Sequence, residues 1–122
     1  MAHPIVHVEI PATDTKAAGK FYADVFGWQV HTEPQFDYTM FSAEGGPGGG
    51  FVSTSGQMAA KIGEPLLYIG TDDIEASLRA IEANGGKTVM PKQEIPGVGW
   101  FAIFNDPAGN RVALYTEMQQ RS

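Results

Sequence analysis

Apolar and polar positions alternate from the start of the chain. Ile5-Val6-His7-Val8-Glu9-Ile10 puts His7 and Glu9 on one face and Val6, Val8 and Ile10 on the other, the period of a half-buried strand. After Pro11-Ala12-Thr13-Asp14 the period changes. Ala17, Ala18, Phe21, Tyr22, Val25 and Phe26 recur at steps of three and four, which predicts an amphipathic helix over 15–26 with Thr13 or Asp14 as its cap and Gly27 as its stop. Trp28 to Thr32 and Phe36 to Ser42 read as strands. Glu44-Gly45-Gly46-Pro47-Gly48-Gly49-Gly50 reads as a hairpin turn, a flexible tip over the site, and Phe51 to Thr54 as a short strand.

The order then restarts. Leu66 to Gly70 predicts a strand, and Thr71-Asp72-Asp73 a cap, with Glu75 placed for a capping box after Asp72. Ile74, Leu78 and Ile81 form the buried stripe of a second helix, ended by Asn84-Gly85-Gly86. Lys87 to Met90, Gly99 to Phe104 and Arg111 to Thr116 read as strands. A shift of 59 positions sets His7 on Leu66, Asp14 on Asp73 and Gly27 on Gly86, and a shift of 60 sets Pro47 on Pro107 and Val52 on Val112. Caps, stops and turns coincide, so the chain reads as an internal duplication. The expected architecture is α+β. It is one domain over 1–122, with module one at 4–55, a polar connector at 56–64 and module two at 65–117, each module a βαβββ unit.

Composition narrows the function. The 122 residues carry a net charge of −6, with eight basic residues scattered along the chain, so no basic face is available to neutralise nucleic-acid phosphates. There is no cysteine, hence no disulfide or thiolate site. No apolar run approaches the roughly 20 residues of a membrane span, and the opening residues carry no basic, apolar leader pattern. The expected location is cytoplasmic, with neither nucleic acid nor membrane as a partner. The glycine-rich run lacks the Lys-Ser or Lys-Thr of a phosphate loop, and no helix follows it.

Two βαβββ modules in one short chain resemble the vicinal oxygen chelate superfamily, which holds glyoxalases, extradiol dioxygenases and bleomycin-resistance proteins. The residues that carry the likeness are His7-Val8-Glu9-Ile10-Pro11, Lys20-Phe21-Tyr22, Phe26-Gly27-Trp28, Thr71-Asp72-Asp73-Ile74 and Phe104-Asn105-Asp106-Pro107-Ala108-Gly109-Asn110. The resemblance implies a curled mixed sheet with helices on its outer face, a homodimer, and a small-molecule site on the inner face. Metal-using members set one ligand near the start of each module's first strand and another on its last strand. Carried over, these seats are His7, Ser53, Leu66 and Ala113.

Only His7 offers a strong donor. Leu66 and Ala113 have none, and a neutral serine hydroxyl is a poor ligand for first-row ions. A catalytic zinc site keeps about three protein ligands, so the inherited metal centre is disfavoured and no cofactor is expected. A divalent ion held through His7 would need substitute donors from Glu9, Glu117, His3 or His31.

By alternation, Leu66, Tyr68, Ala113 and Tyr115 share the inner face with His7 and Glu9, and Trp100, Ala102 and Phe104 join them, as do Tyr38 and Met40 from the first half. Such a wall, aromatic with a few polar handles, suits a small, partly aromatic ligand. His7 and Glu9 are the candidate acid–base pair should the site be catalytic. The alternative is a metal-dependent lyase, isomerase or dioxygenase with non-standard ligands.

Overall fold

The computed structural model describes residues 2–34, 38–54 and 61–118. Its elements run β1 (Ile5–Ala12), α1 (Thr15–Phe26), β2 (Gln29–Glu33), β3 (Tyr38–Ser42), β4 (Gly48–Ser53), β5 (Leu66–Gly70), α2 (Ile74–Ala83), β6 (Lys87–Ile95), β7 (Gly99–Asn105) and β8 (Arg111–Glu117). The class is α+β, and the βαβββ order occurs twice. Two compact units form, one of residues 7–66 and one of residues 1–6 with 67–122. Residues 56–60 of the expected connector, and Phe36 at the expected start of the third strand, lie outside the described residues.

In the unit of residues 7–66, β4 lies between β1, parallel to it, and β3, antiparallel to it, and β2 pairs antiparallel with β3. Helix α1 covers one face. Asp14 caps it by accepting from the Ala17 N–H at 3.0 Å, and Gly27 closes it at φ 74°, a left-handed conformation open to glycine. Gly19 is the buried residue of α1. A Cβ there would lie 2.8 Å from Val30, 3.3 Å from Thr39 and 3.8 Å from Phe51, so these residues face the helix. Under it stack Tyr22, Trp28, Phe41 and Phe51, with neighbouring ring centroids 4.5–5.6 Å apart.

The glycine run is not a hairpin tip as a whole. The turn occupies residues 44–46, and Gly48, Gly49 and Gly50 are paired residues of β4, the last two buried. A strand sandwiched between two others needs only backbone groups to pair. Glycine here lets neighbouring side chains close over the strand.

In the other unit, β8 lies between β5, parallel to it, and β7, antiparallel to it, and β6 completes the sheet antiparallel to β7. Strand β6 extends five residues beyond the expected Met90 and carries two register shifts. Helix α2 packs Ile74, Leu78 and Ile81 on Ile69, Trp100, Ala102, Phe104, Val112 and Leu114. Its cap is Asp73, which accepts from Ala76 N–H at 2.9 Å. That puts Glu75 one position too early for the expected capping box. The Asp106-Pro107-Ala108-Gly109 turn closes as its composition dictates, with Gly109 N–H on the Asp106 carbonyl at 2.9 Å.

Candidate functional site

The helix-free face of residues 7–66 carries the polar groups. Register sets Glu9 beside Gly50, Gly50 beside Met40, and Met40 beside His31, with Glu33 opposite Tyr38. Tyr38 reaches across β4 because Gly50 has no side chain. A Cβ on Gly50 would overlap the Tyr38 hydroxyl and the ring carbons beside it. The Tyr38 hydroxyl donates to Glu9 Oε2 at 3.3 Å and lies 3.1 Å from His7 Nε2.

A phenol has a single proton. With that proton given to Glu9, the hydroxyl accepts from His7, which assigns the His7 proton to Nε2. The three groups form a directed chain, His7 to Tyr38 to Glu9. Burial holds the His7 pKa below its usual 6.5 and so favours the neutral ring. Burial and the adjacent Glu9 carboxylate push the Tyr38 phenol well above its ordinary range, so it stays protonated.

The His7 shift makes stability depend on pH. Its folded pKa is depressed, so the unfolded chain binds the proton more readily between the folded value and 6.5. Wild type is expected to lose stability as pH falls through 6.5, and His7→Gln to lack that component. Urea unfolding of both proteins at several pH values between neutrality and mild acid checks this; parallel pH profiles would contradict it.

Sequence reading brought His7, Glu9, Tyr38 and Met40 to one face, and the structure places them there. It named His31 only as a substitute metal donor and missed Glu33; the alternation of β2 carries the signal that puts both on this face. Met40 and His31 also line a shallow open groove of about 320 Å³ with Gln29, Val30, Phe41 and Ser42.

In the second unit, Tyr68 pairs with Ala113, Ala113 with Ile103, and Tyr115 with Phe101. These residues share the helix-free face, and Leu66, two residues before Tyr68, has the same parity. Ala113 is fully buried, and Tyr68 and Ile103 nearly so. Trp100, Ala102 and Phe104 do not join them. They pack beneath α2 on the opposite face, and Trp100 also lies under Lys92 Nζ at 5.2 Å. Strand β7 is apolar on both faces, so alternation could not say which side its aromatics take.

Ser53 is likewise corrected as a metal seat. It has the parity of Phe51, which faces α1, and it is exposed. Pairing equates Glu9–Gly50 with Tyr68–Ala113. Tyr68 lies 59 positions after Glu9, but Ala113 lies 63 after Gly50. The shift of 60 therefore fails at the last strand.

The resemblance read from the sequence implies four seats for a divalent ion. The four seats hold His7, Gly50, Leu66 and Ala113, with one donor side chain among them. Among the described residues, no three His, Asp or Glu side chains gather into a group that could hold an ion. Glu117, His3 and His31, all described, form no such group with His7, and the described donors do not fit a metal centre.

Residues 4–114 match the family model of the glyoxalase/bleomycin resistance protein/dioxygenase superfamily. The chain is 38% identical over 117 residues to a glyoxylase-like domain-containing protein of Didymella fabae, covering 89% of this chain and 90% of that one. It is 31% identical over 124 residues to a putative glyoxylase, CFP32, of Mycobacterium bovis, covering 88% of this chain but 43% of that longer protein. Methylmalonyl-CoA epimerase from Mycobacterium tuberculosis superposes with a TM-score of 0.71 at 17% identity, covering 94% of this chain and 88% of that one. The match spans both βαβββ units and the strands that carry His7 and Ala113, and the chain belongs to the glyoxalase/bleomycin resistance protein/dioxygenase superfamily.

Proposed function

We propose that this protein binds a small, partly aromatic molecule without a metal ion, on the helix-free face of residues 7–66. The observation that carries the reading is the half-buried chain of hydrogen bonds from His7 through Tyr38 to Glu9. It fixes three polar groups beside Met40, which is 40% exposed, and the groove it shares with His31. Fixed polar groups next to apolar surface orient a ligand, and the flat Tyr38 ring offers a stacking wall. The homodimer implied by the family and a cytoplasmic location belong to the same proposal. No described helix is long and apolar enough to cross a membrane.

Trp28 and Trp100 both lie on helix-covered faces, so indole fluorescence is a poor reporter of this site. Amide NMR titration with a panel of bicyclic and tricyclic aromatic compounds is the suitable test. Saturable shifts at Glu9, Met40 and His31 are expected. In Tyr38→Phe the affinity should fall about tenfold, as the loss of a hydrogen-bonding hydroxyl worth about 1–1.5 kcal/mol requires. Shifts confined to other surfaces would refute the location. Sedimentation velocity tests the dimer, and a monomer at all concentrations would remove that part.

A further inference from the structure

We infer that Tyr38 is the residue that makes this site metal-free: it occupies the last-strand ligand seat above Gly50 and binds the two side chains that an ion there would use. The inference deepens the metal-free reading above and rests on it, but it needs no knowledge of the organic ligand.

Three observations meet. The pairing registers identify Gly50 as the counterpart of Ala113, and so as the first module's last-strand seat. The space a side chain at 50 would fill is taken by the Tyr38 side chain, whose hydroxyl and two ring carbons are the three atoms nearest to a Cβ built there. The Tyr38 hydroxyl is held by His7 and Glu9, the two donor residues bordering that seat.

Gly50 and Tyr38 therefore require one another. Any side chain at 50 must evict the ring, and with the ring in place an ion would have to break both hydrogen bonds to reach His7 and Glu9. Even then it would find two protein donors among the described residues, fewer than the three that catalytic zinc sites keep. A neutral phenol meets the same two partners by hydrogen bonds, with no ion to bind and none to lose.

The test removes the plug and restores the seat. Isothermal titration with Zn²⁺, Ni²⁺ and Mn²⁺, each alone, is run on wild type, on His7→Ala, on Tyr38→Ala/Gly50→Glu, and on that pair with His7→Ala added. Circular dichroism verifies folding. Wild type should bind no ion in a His7-dependent way. The double variant should bind one ion per chain and lose it when His7 is also replaced. One ion bound by wild type and lost in His7→Ala overturns the inference, as does a folded double variant that binds none.

A second measurement serves if the double variant does not fold. Gly50→Ala should shift the unfolding equilibrium of wild type by about tenfold or more, through over-packing against the ring. In a Tyr38→Ala background the same substitution should have little effect. Equal shifts in the two backgrounds overturn the inference. Neither readout involves the aromatic panel, so a failure to find a ligand and a failure of the seat are separate results.

Discussion

Gly49→Ala is expected to lower the unfolding free energy by about 3 kcal/mol or more, the upper end of what over-packing costs. A Cβ at 49 would overlap the Val8 carbonyl oxygen and the Phe41 ring at once. The first is backbone of the paired strand β1, and it cannot swing aside without breaking the ladder. The second is a buried ring, 7% exposed, stacked between Trp28 and Phe51. Gly46→Ala is the control. A Cβ there meets nothing within 4 Å, so its effect should stay within about 0.5 kcal/mol. Urea denaturation of the two variants reads the contrast. Similar midpoints for both would mean that the glycine run does not form a central strand.

Phe51→Ala should cost about 3–5 kcal/mol, the range for removing a buried phenylalanine. Phe51 is 1% exposed and sits between the rings of Tyr22 at 5.6 Å and Phe41 at 5.2 Å. It also faces Gly19 of α1, where a Cβ would lie 3.8 Å from its ring. Little of that cavity can collapse, because the neighbours are rings held by one another. Phe21→Ala is the comparison, since Phe21 on α1 is 56% exposed. A Phe51→Ala loss no larger than that of Phe21→Ala would contradict the packing described.

Both helices were legible in the sequence because local chemistry sets their ends. Asp14 and Asp73 accept from the first turns, and Gly27 takes the left-handed stop. The face shared by His7, Glu9, Tyr38 and Met40 was legible because β1 and β3 alternate cleanly. The same rule failed in β7, where Trp100-Phe101-Ala102-Ile103-Phe104 is apolar on both sides and parity leaves two equal choices. Packing on Ile74 and Leu114 decides between them.

The glycine run was misread for a different reason. Composition marks backbone freedom, but here the freedom is used for close approach between strands and not for turning. Ser53 was misplaced because a fixed offset assumes equal loops in both halves. The two halves drift by four positions between the first strand and the last. The relay itself could not be read from period two. Tyr38 reaches His7 and Glu9 only by crossing a strand position with no side chain, and which strand lies between is set by topology.

The chain's first residues belong with its last ones. Pro4 accepts the Gly70 N–H at 2.9 Å, and Val6 fills the place a side chain on Gly70 would need. One eight-residue strand, β1, thus starts in the unit of residues 67–122 and finishes in the unit of residues 7–66. Severing the polypeptide between the two repeats would not yield two self-sufficient halves. The C-terminal fragment would surrender its borrowed segment, and the N-terminal fragment would keep a segment with nothing to pair. A gene encoding the second repeat by itself would have to find that missing edge in another molecule.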